Sequence, residues 1–214
     1  MSRAIAPFVA RISGTNGAQL GRSIFISLCV FFVLLCAGLP APADDADVSV
    51  LEGEARALAQ ALQQRLQAQL LSAVSIGGLA EALDVCQIRA PAVARELSVN
   101  GWTLRRTALK VRNPANRPSE WERHQLENMS AAVAAGADPG GLAVAQVRDA
   151  PGGPRFYYMQ PIVTGQVCLA CHGAELSVEV EQALTRMYPN DQATDFALGT
   201  LRGAFTFNKV LDGR

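Results

Sequence analysis

The apolar positions of this chain recur first at helical spacing and later at strand spacing. Leu51, Ala55, Leu58, Leu62, Leu66 and Leu70 repeat three or four residues apart, with Gln and Arg between them. Such a stripe predicts an amphipathic helix over about Leu51 to Ser75, its apolar face turned to a core. A homodimer seam is the alternative use of the same face. The acidic stretch from Asp44 to Val50 reads as a short lead. Gly77-Gly78 predicts a break, because consecutive glycines make helix costly. A second helix is expected from Leu79 to about Ile88, and Pro91 opens a further turn to Leu97. Leu79, Leu83 and Cys86 stand at i, i+4 and i+7, so the thiol shares a face with the leucines.

Beyond Asn100-Gly101 the period changes. Trp102 to Lys110 has the Thr and Leu content of a strand. Asn113 to Pro118 is a rigid loop. Ser119 is suited to cap a helix that has Glu120 and Glu122 in its first turn, carries Trp121 and His124, and ends near Ala135 before Gly136. Ala143 to Asp149 and Arg155 to Thr164 are strand-like runs joined by Pro151-Gly152-Gly153-Pro154, a hairpin signature. An amphipathic helix from Glu175 to Tyr188 and a strand from Leu201 to Val210 complete the chain. Four strands with helices before and between them predict an α+β domain built on one antiparallel sheet.

The 19 basic and 19 acidic side chains balance, so no strong field argues for nucleic acid. Their distribution matters more. Arg3, Arg11 and Arg22 precede an uncharged run from Ile24 to Leu39, and Ala41-Pro42-Ala43 follows as an A-x-A cleavage site. That order predicts a signal peptide over residues 1–43 and a mature domain over residues 44–214 in the periplasm. An uncleaved anchor facing the periplasm is the alternative, and only then is a membrane involved. The run is shorter than the roughly 20 residues of a membrane span. Cleavage would leave Cys86, Cys168 and Cys171, in an oxidising compartment where an odd thiol needs a reason.

Cys168-Leu169-Ala170-Cys171-His172 reads C-x-x-C-H, the attachment signature for c-type haem. Two thiols must reach two vinyl groups of one porphyrin, and the adjacent imidazole then meets the iron. A redox pair does not need the histidine, and a structural zinc site needs ligands that no second C-x-x-C or H-x-x-x-H supplies. One covalent haem c is therefore expected at Cys168 and Cys171, with His172 as an axial ligand. For Cys86, spacing alone favours a buried cysteine packing as a small hydrophobe. His124 is the only other histidine, and Met159 is the sulfur alternative. Arg105, Arg106 and Arg112 lie in a segment without acids and are candidates for the haem propionates, or else for a solvated edge strand. Small class I cytochromes are nearly all helix with an early motif; here the motif is late, between two strands.

Several features occur in a distinctive order. A long first helix is followed by Cys86-Gln87-Ile88-Arg89-Ala90-Pro91, then Arg105-Arg106-Thr107, the loop Arg112-Asn113-Pro114-Ala115-Asn116, Trp121-Glu122 and the late C-x-x-C-H. From about Leu51 to Val210 the chain resembles the exported c-type haem domains with a PAS-like fold, long described as a domain of unknown function. The resemblance implies a domain that stands alone or forms the sensing part of membrane signalling proteins, acting as a redox or gas sensor or as an electron carrier. It also implies axial ligation by the motif histidine and a cysteine of the early helix, here His172 and Cys86, with His124 as the competitor. A sensor would bind a diatomic gas or respond to reduction, and would pass its signal to a partner protein. An electron carrier would need only a redox partner. A peroxidase ranks third, because it needs a distal acid–base pair, for which His124 with Glu120 or Glu127 is the one candidate.

Overall fold

The computed structural model describes residues 45–211, within the compact unit that begins at Ala43. The expected export segment lies outside the described residues. Helix α1 spans Asp45–Asp84, so it already includes most of the stretch read as a lead. Asp47 in its first turn suits the positive end of the helix dipole. The expected break is a kink, with Gly78 at φ 74° inside the helix.

Val85–Arg89 then winds as a π turn, and α2 follows at Ala90–Leu97. Pro91 explains the widening. It has no N–H for the Gln87 carbonyl, and its ring would clash there in an α-helix. The Ala90 N–H instead reaches back five residues to the Val85 carbonyl. Such one-turn widenings recur at functional sites, and this one carries Cys86.

The strands are β1 Trp102–Thr107, β2 Val144–Ala150, β3 Gly153–Val163 and β4 Leu201–Val210. They form one antiparallel sheet in the order β1-β4-β3-β2. The mixed helix–sheet architecture with its long first helix is thus the α+β class expected. β1 stops short of Lys110, because Ala108 donates to the Asn116 carbonyl at 3.2 Å instead of extending the ladder.

One sheet face presents Trp102, Leu104, Phe156, Tyr158, Phe205 and Phe207 to Ala55, Ala59 and Leu62 of α1 and Val93 and Ala94 of α2. The predicted stripe is therefore a core face. Burying a side chain such as Leu62 contributes about 2 kcal/mol. The opposite face presents Met159 and Ala204 to Leu126 and Met129 of α3, Glu120–Ala134. Helix α3 opens with a capping box: Ser119 accepts from the Glu122 N–H and Glu122 accepts from the Ser119 N–H. A third cluster joins Leu79 and Leu83 of α1 to Val180, Ala183 and Leu184 of α5, Val178–Met187, and to Tyr188.

β4 carries an irregularity that shapes the site. Ile162 faces Gly203 and Val163 faces Leu201, which leaves Arg202 unpaired between them. A bulge of this kind re-aims a side chain out of the strand's alternation. Gly203 permits it at φ 153°, where an added Cβ would stand 2.5 Å from the Thr107 carbonyl oxygen. Gly203→Ala should therefore destabilise the fold by roughly 2–3 kcal/mol. Urea unfolding should show a lower midpoint at unchanged slope; an unchanged midpoint would mean the bulge does not need glycine.

Candidate functional site

β3 hands the chain to the C-x-x-C-H turn directly. After Val163, Thr164 exchanges backbone hydrogen bonds of 2.9 Å with Gly199 and Thr200. Gln166–Cys168 forms a 3-10 turn, and Leu169–His172 forms the single-turn helix α4. Gly173 closes it with a 2.9 Å bond to the Leu169 carbonyl. Cys171 packs with Leu79 and Leu83 beside Tyr188, and burial raises the pKa of its thiol. Cys86, Cys168 and Cys171 are all free thiols.

The state of His172 follows from its neighbours. Arg202 Nη2 lies 3.4 Å from Nε2. A guanidinium only donates, so Nε2 must accept and the ring proton must sit on Nδ1. Nδ1 in turn donates to the Ala193 carbonyl at 2.7 Å. Burial, followed by the charges of Arg202 and Arg112, pushes the imidazole pKa down to about 2. The ring is therefore neutral at physiological pH with a lone pair on Nε2. That is the state a metal-binding histidine needs, with the other nitrogen fixing the tautomer. Phe196 stands edge-on to the ring at 6.2 Å.

His172, Cys86, Arg106, Arg112, Tyr188 and Arg202 share the wall of a small cavity of about 30 Å³. Cys86 and Arg106 also line a groove of about 840 Å³ that contains Cys168 and runs along Gln60, Gln63, Gln64 and Gln67 of α1. The groove falls within the roughly 300–1,000 Å³ of ordinary ligand sites, whereas the cavity between His172 and Cys86 has room for only a water or two. The site is cationic. Burial, then Arg106 and Arg112, lowers the Arg202 pKa to about 9. Arg112 is paired with Asp191 at 2.9 Å. Even so, Arg112 Nη1 and Arg202 Nε are buried donors with no partner in the protein.

The structure thus gathers Cys86, Cys168, Cys171, His172, Arg106 and Arg112, but not every candidate. Arg105 pairs with Glu122 and donates to the Arg117 carbonyl at 3.3 Å. It follows the β1 alternation to the α3 side, so its propionate role is withdrawn. His124 is exposed on α3 and lines neither space. Met159 is fully buried against Leu126 and Met129, which makes it core rather than ligand. Arg202 was not singled out by the sequence, although the Arg-Gly pair in a strand was a visible bulge signal. Asp191 and Ala193 sit in a loop whose spacing carried no signal. Among the described residues, no three His, Cys, Asp or Glu side chains converge as a metal-binding cluster.

Comparisons add the family. A search of curated proteins finds no match. The crystal structure of the cyanobacterial haem protein Tll0287 superposes with a TM-score of 0.58 at 22% identity, covering 80% of this chain and 99% of that one. A likeness at that identity shows a shared fold. The model of the Tll0287-like family matches residues 46–208, nearly all of the described domain, and so this chain belongs to the Tll0287-like family.

Proposed function

We propose that this protein binds one haem c covalently through Cys168 and Cys171, with His172 and Cys86 as axial ligands, and acts as an exported redox or gas-ligand sensor. The observation that carries the reading is the neutral His172, with Nε2 as its acceptor nitrogen, in the wall of a cavity that Cys86 also lines; for Nε2 to bind iron, Arg202 Nη2, now 3.4 Å away, must give way. The residues fit the cofactor. Cys168 lines a groove of sufficient size, Cys171 lies one helical turn further on, and the unpartnered donors of Arg112 and Arg202 suit carboxylates. When bound, haem supplies a one-electron centre and a site for a diatomic gas.

The protein's own residues do the rest. The Ala193 carbonyl holds the His172 ring, and burial keeps it unprotonated. Arg106 and Arg112 offer positive charge to the propionates. Cys86 lies on the π turn, in a segment bounded by the Gly78 kink and Pro91. Such a segment suits a two-state element, in which the Cys86 Sγ is either held as thiolate or released and protonated. This favours a sensor over the electron carrier, which needs no movable ligand. A PAS-like sensory module of this kind would signal to a protein partner rather than to nucleic acid.

Optical and EPR spectra of the ferric and ferrous protein test the reading. Low-spin ferric haem with a thiolate signature, losing the sulfur on reduction and binding CO rapidly, is expected. Haem that stays six-coordinate in both states and refuses CO would make it an electron carrier. The export prediction is checked separately: the mature chain should begin at Asp44 by N-terminal sequencing, and a retained Met1 would mean an anchor.

A further inference from the structure

We infer that Arg112 is a positioning residue that tunes His172 by competing for its hydrogen-bond acceptor. This rests on the haem reading above, with His172 as a ligand. The Ala193 carbonyl oxygen accepts two bonds at once, from His172 Nδ1 at 2.7 Å and from Arg112 Nη2 at 3.2 Å. The same Nη2 donates to the Cys171 carbonyl at 2.6 Å, on the residue just before His172. Arg112 Nε donates to Asp191 at 2.9 Å, and the other oxygen of Asp191 accepts from the Ala193 N–H at 2.8 Å. One buried guanidinium therefore grips both the turn that carries the histidine and the carbonyl that orients it.

The physical consequence has a definite sign. A carbonyl that already accepts from a cation is a poorer acceptor for a second donor. It pulls less on the Nδ1 proton, so the imidazole keeps less anionic character and donates less to a metal. Weaker donation disfavours the ferric state and raises the reduction potential. Removing Arg112 hands the carbonyl to His172 alone and should lower the potential. Arg112 thus has a role in setting the potential that is distinct from pairing with a propionate, for which only its Nη1 remains unpartnered.

The test is Arg112→Gln with Asp191→Asn in the full holoprotein. The double change removes one positive and one negative charge, so the local net charge stays constant and neither partner is left as a buried lone ion. The readouts are the midpoint potential and the His172 Nδ1–H proton resonance in the diamagnetic ferrous–CO protein. The proton should move downfield and the potential should fall. Arg112→Lys keeps the charge but cannot span three acceptors. It should move both readouts the same way by less, and it serves if the double variant does not fold. Unchanged readouts with His172 still bound would overturn the inference. A wild-type protein without histidine-bound haem would instead overturn the haem reading, and this inference with it.

Discussion

Cys86→Ala should convert the ferric protein from low-spin to high-spin or water-bound and raise its reduction potential. A thiolate stabilises ferric iron by its charge, and alanine offers neither charge nor donor. Axial ligands set haem potentials over roughly 0.8 V, so a shift on the order of 100 mV is expected. The fold should tolerate the change. Cys86 is only partly buried, on a π turn whose geometry comes from Pro91 rather than from the thiol. The same measurements on His124→Ala should match wild type, because that ring is exposed on α3. An unchanged spectrum in Cys86→Ala would remove the thiolate, and the electron-carrier reading would then lead.

Replacing both Cys168 and Cys171 by alanine should abolish covalent haem. Denaturing electrophoresis after acid–acetone extraction should show no haem stain, since on the proposed attachment each thiol would supply one thioether. Either single variant should keep one link and retain stain. The double variant also loses packing, because Cys171 contacts the Leu79–Leu83 cluster. That loss is about 1 kcal/mol, too little to explain a complete absence of haem. Stain persisting in the double variant would place the attachment elsewhere.

Much of this arrangement was readable from local pattern. The α1 stripe, the Ser119 cap, the Pro151-Gly152 hairpin and the late C-x-x-C-H all follow from spacing and residue type. The shared face of Leu79, Leu83 and Cys86 is also a matter of spacing, and the leucines do meet α5 while Cys86 reaches the cavity. What escaped was set by tertiary geometry. Arg105 and Arg106 are adjacent in sequence, yet strand alternation sends one to Glu122 and the other to the cavity. Arg202 enters the site only because a bulge takes it out of that alternation. The π turn required weighing Pro91 against the Gln87 carbonyl rather than reading proline as a helix start. The hold on His172 depends on a backbone carbonyl, Ala193, which no side-chain motif can announce.

The central claim is a haem fixed to the C-x-x-C-H turn, and the intact mass of the purified protein tests it most directly. From cells equipped to attach haem c, the account predicts the mass of a chain beginning at Asp44 plus one haem. That addition should survive denaturation and vanish with Cys168 and Cys171. The mass of the bare chain from the same cells would contradict the account.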